Sequence, residues 1–261
     1  MNIRILEAAS KSDINNFIKF PLELYKNDPF YAPQLTRDLK SLFSDKNPFF
    51  RHATIKFFLS FNNDILAGRI ASIINPAHIE YHKEKAGFFG FFECVDNAEV
   101  SNALLGRVHD ELKKSGMEIM RGPMNFSTNE ECGFLFEGFD TPPMLMTPYN
   151  PSRYNELMEA FGLSKAKDLN AYIYHVREAL PDKVLRVAAL AEKKGVTVRR
   201  VEKKDFMRGM ETFREVYNSA WKDNWGFIPI SAEELRYSAV QLKPIAVPDL
   251  TLIAEKDGEP V

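Results

Sequence analysis

Hydrophobic and polar positions alternate along the chain with two periods, which together predict a mixture of strands and helices. Near the start, "IRIL" predicts a strand, and "INNFIKFPLELYK" predicts a helix after it. The segment "TIKFFLSFNNDILAGRIASII" holds two β-rich runs on either side of Asn63 and Asp64, which are residues typical of a tight hairpin turn. The pattern therefore predicts a strand, a helix and an antiparallel hairpin, in that order.

A short apolar run, "AGFFGFFECV", is typical of a strand that is buried on both faces. It leads into a segment in which Val100, Leu104, Val108 and Leu112 recur every four residues, as on the buried face of a helix. Asp96 precedes this segment and is placed to cap it. The elements expected after it are the strand "MEIMRGPMNF", the helix "PSRYNELMEAFG", the strand "AYIYHV" at 171–176 and the amphipathic helix "PDKVLRVAALAEKKG".

The last part of the chain repeats the pattern of its beginning. "VTVRRVEKKDFMRGMETFREVY" mirrors "IRILEAASKSDINNFIKFPLELY", and "DLTLIAEKDGEPV" mirrors "TIKFFLSFNNDILAGRI". The offset from Ile3 to Val196 is 193 residues, and the offset from Asp64 to Asp257 is also 193. A constant offset predicts an internal repeat. Because the second copy stops at Val261, just after its predicted hairpin turn, we expect the chain to be the front part of a longer protein.

Charge and hydropathy exclude two broad classes of partner. The 34 basic and 36 acidic residues give a net charge of −2, and no basic stripe interleaved with aromatic residues stands out. We therefore expect no nucleic-acid partner. The N-terminus carries no apolar signal segment, and no window reaches the 18 or so apolar residues that span a bilayer. We expect a cytoplasmic protein without an integral membrane segment, and peripheral membrane contact stays open.

The cysteines and histidines do not form a convincing metal site. Cys94 and Cys132 stand alone, without a CxxC spacing. His78 and His82 have a spacing that can place two imidazoles on one helical face, but no third ligand is evident. We expect no metal, and we expect both cysteines to be reduced.

The predicted order of elements resembles the GNAT fold of acyl-CoA N-acyltransferases. The segments "KNPFFRHA", "GFFGFFEC", "RGPMNFSTNEECG" and "YNPSRYNELMEAFG" resemble a group of bacterial tandem-GNAT proteins, some of which have been proposed as bacterial ceramide synthases. The resemblance implies an α+β fold with a mixed, mostly antiparallel central sheet flanked by helices. It also implies a first GNAT-like domain at 1–178, a connecting helix at 179–195 and the N-terminal part of a second GNAT-like domain at 196–261.

The same resemblance implies an activity, which is the transfer of an acyl group from a thioester to an amine. The donor would be acyl-CoA or an acyl carrier protein, and the acceptor a small-molecule amine or a long-chain lipid amine. The alternative is a non-catalytic GNAT-fold module that binds a metabolite or regulates another protein. The two differ in whether substitutions in the cleft abolish acyl transfer.

The chain departs from the GNAT pattern where the coenzyme A pyrophosphate usually binds. GNAT enzymes place a glycine-rich loop there, at a helix N-terminus. This chain instead has "ECVDNAE" at 93–99, which contains no glycine and carries carboxylates that would repel phosphate. We therefore expect weak or altered binding of acyl-CoA as co-substrate. The candidate cofactor-binding residues at this place are Phe92, Glu93, Cys94, Val95 and Asn97.

Residues 122–140, "GPMNFSTNEECGFLFEGFD", concentrate polar side chains between aromatic residues and glycines. Amide formation needs a base for the amine and donors for the developing oxyanion. The candidate catalytic bases are Glu130 and Glu131. The candidate substrate-binding residues are Asn125, Ser127, Thr128 and Asn129, followed by Tyr149 and Asn150. The alternative is structural, because "STNE" has the spacing of a capping box.

A further departure concerns the acid that protonates the departing thiolate. Many GNAT enzymes use a tyrosine four residues before the glycine that closes the last helix. Counting back from Gly162 gives Met158, which has no proton to donate. Tyr154 lies one turn earlier on the same predicted helical face and is the candidate for this catalytic role, with packing as the alternative.

Overall fold

The computed structural model describes residues 2–175 and 178–261. The chain divides into two compact units, the first ending at Asp168 and the second beginning at Leu169. This division falls earlier in the chain than the predicted boundary at residue 178. The domain assignment of the second unit stays a prediction.

The first unit is built on a five-stranded sheet whose spatial order follows the sequence order. Its strands are β1 (Ile3–Glu7), β2 (Thr54–Asn62), β3 (Ile65–Ile74), β4 (Ala86–Cys94) and β5 (Ile119–Arg121). The first four strands pair antiparallel, and β4 pairs parallel with β5. The helices of this unit are α1 (Lys11–Leu24), α2 (Thr36–Leu42), α3 (Pro76–His82), α4 (Ala98–Lys114) and α5 (Arg153–Phe161). The predicted fold class is confirmed, because the sheet is mixed, mostly antiparallel and flanked by helices.

Side chains that alternate along β2 and β3 supply two hydrophobic clusters in the first unit. Phe58 and Ile70 belong to the cluster formed with α4 and α5. Phe57, Leu59 and Ala71 belong to the other cluster, which is formed with α1. Successive residues of a strand point to opposite faces, so a strand covered on both faces needs apolar side chains at nearly every position.

The predicted hairpin is confirmed between β2 and β3. Asn63 and Asp64 both have positive φ, 47° and 64°, as a type I′ turn requires. The two-residue turn sets the register, in which Asn62 faces Ile65.

The last two strands of the sheet, β4 and β5, separate after a short parallel pairing. β4 and β5 pair only over residues 86–88 and 119–121, although β4 continues to Cys94. Gly90 allows the chain after β5 to pass close by, since a Cβ at Gly90 would lie 2.0 Å from the carbonyl oxygen of Met124. Phe91 then adopts a positive φ of 52° where the register between β3 and β4 shifts. The second half of β4 is therefore left without a neighbouring strand on one side.

The second unit holds a three-stranded antiparallel sheet and three longer helices within the described residues. The strands are β6 (Val196–Arg200), β7 (Leu252–Lys256) and β8 (Glu259–Pro260), and the helices are α6 (Asp182–Lys193), α7 (Phe206–Ala220) and α8 (Ala232–Leu242). The predicted strand at 171–176 is wrong for residues 171–175, which form no strand, while Val176 lies outside the described residues. These residues are largely exposed, so nothing packs the alternating apolar side chains that motivated the prediction.

The residue that follows the first strand of the sheet makes a matching backbone hydrogen bond in each unit. The amide of Ala8 donates to the carbonyl of Phe57 over 2.8 Å in the first unit, and the amide of Val201 donates to the carbonyl of Thr251 over 2.8 Å in the second. Asp257 and Gly258 form a turn with positive φ, 53° and 84°. This turn follows β7 as the Asn63–Asp64 turn follows β2, so Asp257 matches Asn63 in position rather than Asp64.

Candidate active site

Two carboxylates, Glu93 and Glu131, and the buried Arg69 lie where β4 has a neighbouring strand on one side only. Glu93 is the next-to-last residue of β4, and its partner across the antiparallel ladder is Arg69 of β3. Directly opposite residues of adjacent strands carry their side chains on the same face. Both charged residues interrupt apolar runs, "LAGRIASII" and "GFFGFFEC".

Two tyrosine hydroxyls hold the Glu93 carboxylate. Tyr25, the residue that ends α1, donates to Glu93 Oε2 over 2.5 Å, and Tyr154 of α5 donates to the same oxygen over 2.9 Å. Burial raises the pKa of Glu93 to about 7, against the opposing effects of the Arg69 charge and the two hydroxyls. Part of the Glu93 surface stays accessible. Glu93 is therefore a carboxylate that can exchange a proton near neutral pH.

Arg69 is 8% exposed and makes one hydrogen bond to the backbone, from Nη1 to the carbonyl of Phe17 over 2.8 Å. Its guanidinium also lies over the ring of Phe17, 5.0 Å from the centroid. Its Nε has no hydrogen-bond partner among residues 2–175 and 178–261. Burial lowers the pKa of Arg69, and the nearby carboxylate of Glu93 opposes that shift. A buried N–H donor thus remains free beside the carboxylates.

The candidates Asn125 and Glu131 bridge the gap beside β4. The Asn125 side chain accepts the backbone amide of Phe91 over 2.8 Å, in place of the missing strand, and donates to Glu131 Oε2 over 2.9 Å. Burial raises the pKa of Glu131, while the bond from Asn125 and the charge of Arg69 lower it. Glu131 and Glu93 repel one another electrostatically, which raises the pKa of Glu93. The structure thus brings Glu131 close enough to Glu93 for electrostatic repulsion, although the two residues are far apart in sequence.

The other candidates in this segment form a local turn. Glu130 accepts both the amide and the hydroxyl of Ser127, and the Ser127 hydroxyl accepts the amide of Asn129 over 3.1 Å. These bonds are similar to those of a capping box, except that Ser127 accepts the amide of Asn129 and not that of Glu130. The amide of Glu130 donates instead to the Ser127 carbonyl. Thr128 lies within the same turn. Glu130 and Ser127 therefore have a structural role in this geometry.

The last two substrate-binding candidates lie just before α5. Tyr149 donates its hydroxyl to Asp28 over 2.6 Å, and its ring lies 5.8 Å from that of Tyr25. Asn150 is buried, and its side chain accepts the amide of Leu135 over 2.6 Å. Tyr149 thus lies beside the Glu93 region, whereas Asn150 fixes the connecting loop.

The candidate catalytic residue Tyr154 lies behind the carboxylate. Tyr154 is fully buried, and its hydroxyl accepts the backbone amide of Cys94 over 2.8 Å as well as donating to Glu93. Burial raises its pKa well above the usual value for tyrosine. The hydroxyl is thus engaged on both sides and positions Glu93.

Most of the predicted cofactor-binding residues are engaged within the protein. Phe92 is 4% exposed and packs on Tyr154, and the amide of Val95 donates to the carbonyl of Ala67 over 2.9 Å. Burial raises the pKa of the Cys94 thiol to about 12. Of these five residues, only Glu93 interacts with the charged side chains of Arg69 and Glu131.

The predicted cap of α4 at Asp96 is wrong, because Asn97 occupies that position. The Asn97 side chain accepts the amides of Glu99 and Val100, over 2.9 and 3.1 Å. Asp96 points away, with its side chain 87% exposed and 3.6 Å from Nε of Arg153. Two amides that a phosphate would use at this helix start are thus already satisfied by Asn97.

The cysteine and histidine side chains are engaged in packing. Burial, together with the charges of Glu131 and Glu130, raises the pKa of Cys132, which disfavours a thiolate nucleophile. His78 is buried and lies 2.8 Å from Glu84, with its ring 4.4 Å from that of His82. Within the part of the chain that the structure describes, no group of three suitable side chains could hold a metal ion. None of the described helices combines the length and apolar character that crossing a membrane requires.

Sequence patterns missed three residues near Glu93: Tyr25, Tyr31 and Arg69. The ring of Tyr31 lies 4.5 Å from that of Tyr25. The three residues lie in other elements of the chain and carry no motif. Arg69 had a usable signal, since a lone arginine inside a buried strand requires a partner. The two tyrosines have no such signal, because Tyr25 directly follows α1 and Tyr31 lies in the loop before α2, where tyrosines are most often packing residues.

Comparisons with known proteins place the chain in a family. No protein-family model matches it. It is 33% identical over 251 residues to protein YghO of Escherichia coli K12, and 32% identical over 262 residues to the bacterial ceramide synthase of Caulobacter vibrioides. These matches cover 96% and 99% of the chain, which spans 64% of the first relative and 68% of the second.

Two solved structures of acetyltransferases also align with the chain. One is aminoglycoside acetyltransferase AAC(6')-Iy with a bisubstrate analogue, at 11% identity and a TM-score of 0.40, over 67% of this chain and 99% of that one. The other is a putative acetyltransferase from Pyrococcus furiosus, at 15% identity and a TM-score of 0.40, over 66% of this chain and 100% of that one. The predicted relationship to proposed bacterial ceramide synthases is confirmed by the curated relative, whereas the tandem arrangement stays a prediction: the chain belongs to the family of the Caulobacter vibrioides bacterial ceramide synthase.

Proposed function

We propose that the protein transfers an acyl group from a thioester to an amine, and that Glu93 is the base that accepts the amine proton. The observation that carries the proposal is the Glu93 carboxylate, held by the hydroxyls of Tyr25 and Tyr154 at the end of β4 that pairs with β3 but not with β5. A general base works best when its pKa lies near the operating pH. The raised pKa of Glu93, about 7, meets that requirement.

Arg69 supplies the positive charge that the reaction needs beside the base. Attack of the amine on the thioester carbonyl places negative charge on the carbonyl oxygen. The charge of Arg69 lies beside Glu93, where it would stabilise negative charge that develops at the neighbouring reaction centre. Burial strengthens such an interaction because little water competes for it.

Glu131 is proposed to tune the base rather than to act as one. Its carboxylate is fixed by Asn125 and raises the pKa of Glu93 by electrostatic repulsion. Repulsion from Glu131 makes Glu93 hold a proton more readily, and the charge of Arg69 opposes this effect.

The acyl donor is proposed to be acyl-CoA or an acylated carrier protein. Asn97 already satisfies amides at the start of α4, so this unit has little to offer nucleotide phosphates there. We therefore assign the amine acceptor to the first unit. Titrating the intact protein with an acyl-CoA and with an acyl carrier protein would show which donor binds.

The segment from 196 to 261 is proposed to be the N-terminal part of a second GNAT-like domain, after a connecting helix at 179–195. The matching hydrogen bonds of Ala8 and Val201, and the matching turns after β2 and β7, support this assignment. A second domain of this type could carry the donor site. The expected place of action is the cytoplasm, where acyl-CoA and acyl carrier protein are available.

The acceptor is proposed to be a long-chain lipid amine. This follows from the name of the relative, a bacterial ceramide synthase, because a ceramide is an amide of such an amine. The amino group of the acceptor would reach Glu93. The alkyl chain of the acceptor would stay outside the group of charged side chains formed by Arg69, Glu93 and Glu131.

The experiment is an amide-formation assay with the intact protein, palmitoyl-CoA or palmitoyl carrier protein, and a C18 2-amino-1,3-diol, read out by mass spectrometry. Glu93→Gln keeps an oxygen that can accept both tyrosine bonds but cannot take the proton, so we expect a loss of about 100-fold or more in kcat. Glu80→Gln, on the exposed face of α3, is the matched control and keeps full activity. No amide with any donor or amine would favour the non-catalytic alternative.

A further inference from the structure

Three tyrosine rings lie together beside Glu93, and we name them the tyrosine cluster: Tyr25, Tyr31 and Tyr149. Their ring centroids are 4.5 Å apart for Tyr25 and Tyr31, 5.8 Å for Tyr25 and Tyr149, and 5.9 Å for Tyr31 and Tyr149. They come from separate places in the chain: the end of α1, the loop before α2 and the loop before α5. The fold therefore brings three electron-rich rings to the candidate base.

Two of these tyrosines donate hydrogen bonds to carboxylates. The hydroxyl of Tyr25 donates to Glu93, and the hydroxyl of Tyr149 donates to Asp28 over 2.6 Å. Asp28 is fixed in place by the backbone amide of Phe30, over 3.0 Å. When ionised, Asp28, Glu93 and Glu131 carry three negative charges against the single positive charge of Arg69. The tyrosine cluster therefore presents π faces next to charged side chains whose net charge is negative.

Tyr31 and Tyr149 form the accessible part of the tyrosine cluster. Both side chains are half-buried, whereas Tyr25 is 5% exposed. The hydroxyl of Tyr31 makes no hydrogen bond to any residue in 2–175 or 178–261, which distinguishes Tyr31 from the other two tyrosines. Burial and the charge of Glu93 raise the pKa of Tyr31 to about 12, so it stays a neutral phenol at physiological pH. The half-buried ring and its hydroxyl therefore distinguish Tyr31 from a fully buried core tyrosine.

We infer that the tyrosine cluster, with Asp28 and Glu93, is a binding subsite for the ammonium group of the acceptor. The inference rests on the proposed function, which it deepens by assigning the charged form of the amine a place to bind. Cations bind over aromatic faces, and the attraction grows when water is excluded. Carboxylates that accept tyrosine hydroxyls add to the negative potential of that face.

The subsite explains how a protonated amine becomes a nucleophile. The acceptor binds as R–NH₃⁺ and gives one proton to the Glu93 carboxylate, leaving neutral R–NH₂ and a protonated Glu93. The amine lone pair then forms the C–N bond at the thioester carbonyl as the C–S bond breaks. The second amine proton goes to the departing thiolate, which leaves as a thiol. Glu93 returns its proton to solvent.

The binding test compares hexylammonium with its neutral match 1-hexanol, measured by NMR titration of the intact protein at pH 7. We expect hexylammonium to bind more tightly than 1-hexanol. Tyr31→Leu removes one of the two accessible rings and should weaken hexylammonium binding by about 3- to 30-fold, whereas Tyr31→Phe keeps the ring and should stay close to wild type. Tyr31→Met is the second non-aromatic variant, should Tyr31→Leu fail to fold.

The control is Tyr81→Leu, which removes an exposed tyrosine of α3 outside the cluster and leaves binding unchanged. Equal hexylammonium binding by wild type and a folded Tyr31→Leu or Tyr31→Met variant would overturn the subsite. The subsite and the proposed function can be contradicted independently of one another. If Glu93→Gln abolishes amide formation while Tyr31→Leu keeps the acceptor KM, the subsite falls and the function stands. If Tyr31→Leu weakens hexylammonium binding but no amide forms, the subsite stands and the function falls.

Discussion

Arg69 of β3 and Glu93 of β4 are directly opposite one another in the antiparallel ladder, so a buried cation lies beside the candidate base. Burial alone would drive the pKa of Glu93 further upward, because a carboxylate loses its hydration. The Arg69 charge is the largest opposing effect, and two tyrosine hydroxyls add to it. The pKa of about 7 is the balance of these effects.

Arg69→Gln should move the acidic midpoint of kcat/KM upward by about 0.5 to 1 pH unit, because the ionised form of Glu93 loses its nearest positive charge. Tyr25, Tyr154 and Glu131 still face the carboxylate in this variant. Arg69→Lys keeps a charge and should shift the midpoint less. The measurement is the pH profile of both variants, and an unchanged midpoint in Arg69→Gln would contradict the electrostatic role.

Tyr154→Phe should cost more stability than Tyr25→Phe. The Tyr154 hydroxyl bonds both Glu93 and the amide of Cys94, so its loss leaves a buried backbone N–H without a partner. That costs about 1–3 kcal/mol of the free energy of unfolding. Tyr25→Phe removes a single bond to Glu93. Urea unfolding at pH 7 checks the order, and equal losses would mean that the Cys94 bond is unimportant.

Glu130 and Glu131 are neighbours that should behave differently. Glu130→Ala removes the bonds to Ser127 and should lower stability by about 0.5–1.5 kcal/mol, with activity retained. Glu131→Gln keeps an oxygen for Asn125 and removes a negative charge beside Glu93, so the pH midpoint should move down. Thermal melts and pH profiles of the two variants separate these roles. Loss of turnover in a stably folded Glu130→Ala would return Glu130 to the list of bases.

Asn97→Ala should weaken α4 without changing coenzyme A binding. Asn97 caps the helix through the amides of Glu99 and Val100, and losing such a cap costs about 1 kcal/mol. Calorimetric titration with coenzyme A should give the same affinity as wild type, because the first unit is not proposed to hold the nucleotide phosphates. A marked loss of affinity would show that the helix start does bind phosphate.

Regular elements were predictable from sequence where the signal is local. The hairpin followed from Asn63 and Asp64, and α4 followed from its four-residue period, because a turn and a helical face are each written in one short segment. The strand expected at 171–176 was wrong over 171–175, since alternation indicates a strand only where something packs against it. The α4 cap moved by one residue, from Asp96 to Asn97, because both side chains can cap and geometry decides.

The candidate site was predictable only in part. Glu131 and Tyr154 were named from sequence, but the carboxylate between them, Glu93, was assigned to cofactor binding. The cluster joins α1, β3, β4, α5 and the loop after β5, and contacts between such distant segments leave no spacing in the sequence. The gap beside β4 that makes Glu93 accessible depends on the short pairing of β5, which a single sequence does not show.

Glu93→Gln should also be at least as stable as wild type at pH 8. The pKa of Glu93 in the folded protein, about 7, is above its usual value of 4.5. Its contribution to stability is therefore full below pH 4.5 and is lost as the pH rises through 7. Glutamine removes that loss, so the free energy of unfolding at pH 8 should not fall. Inactivity of this variant would then reflect chemistry and not unfolding.

The pH dependence of kcat/KM for amide formation, in wild type and in Glu93→Gln, tests the central claim most directly. Wild type should gain activity with rising pH through a midpoint near 7, as Glu93 loses its proton. The variant, folded and stable at pH 8, should retain about 1% of the activity or less and show no midpoint near 7. A folded Glu93→Gln with wild-type activity and the same midpoint would contradict the assignment of Glu93 as the base.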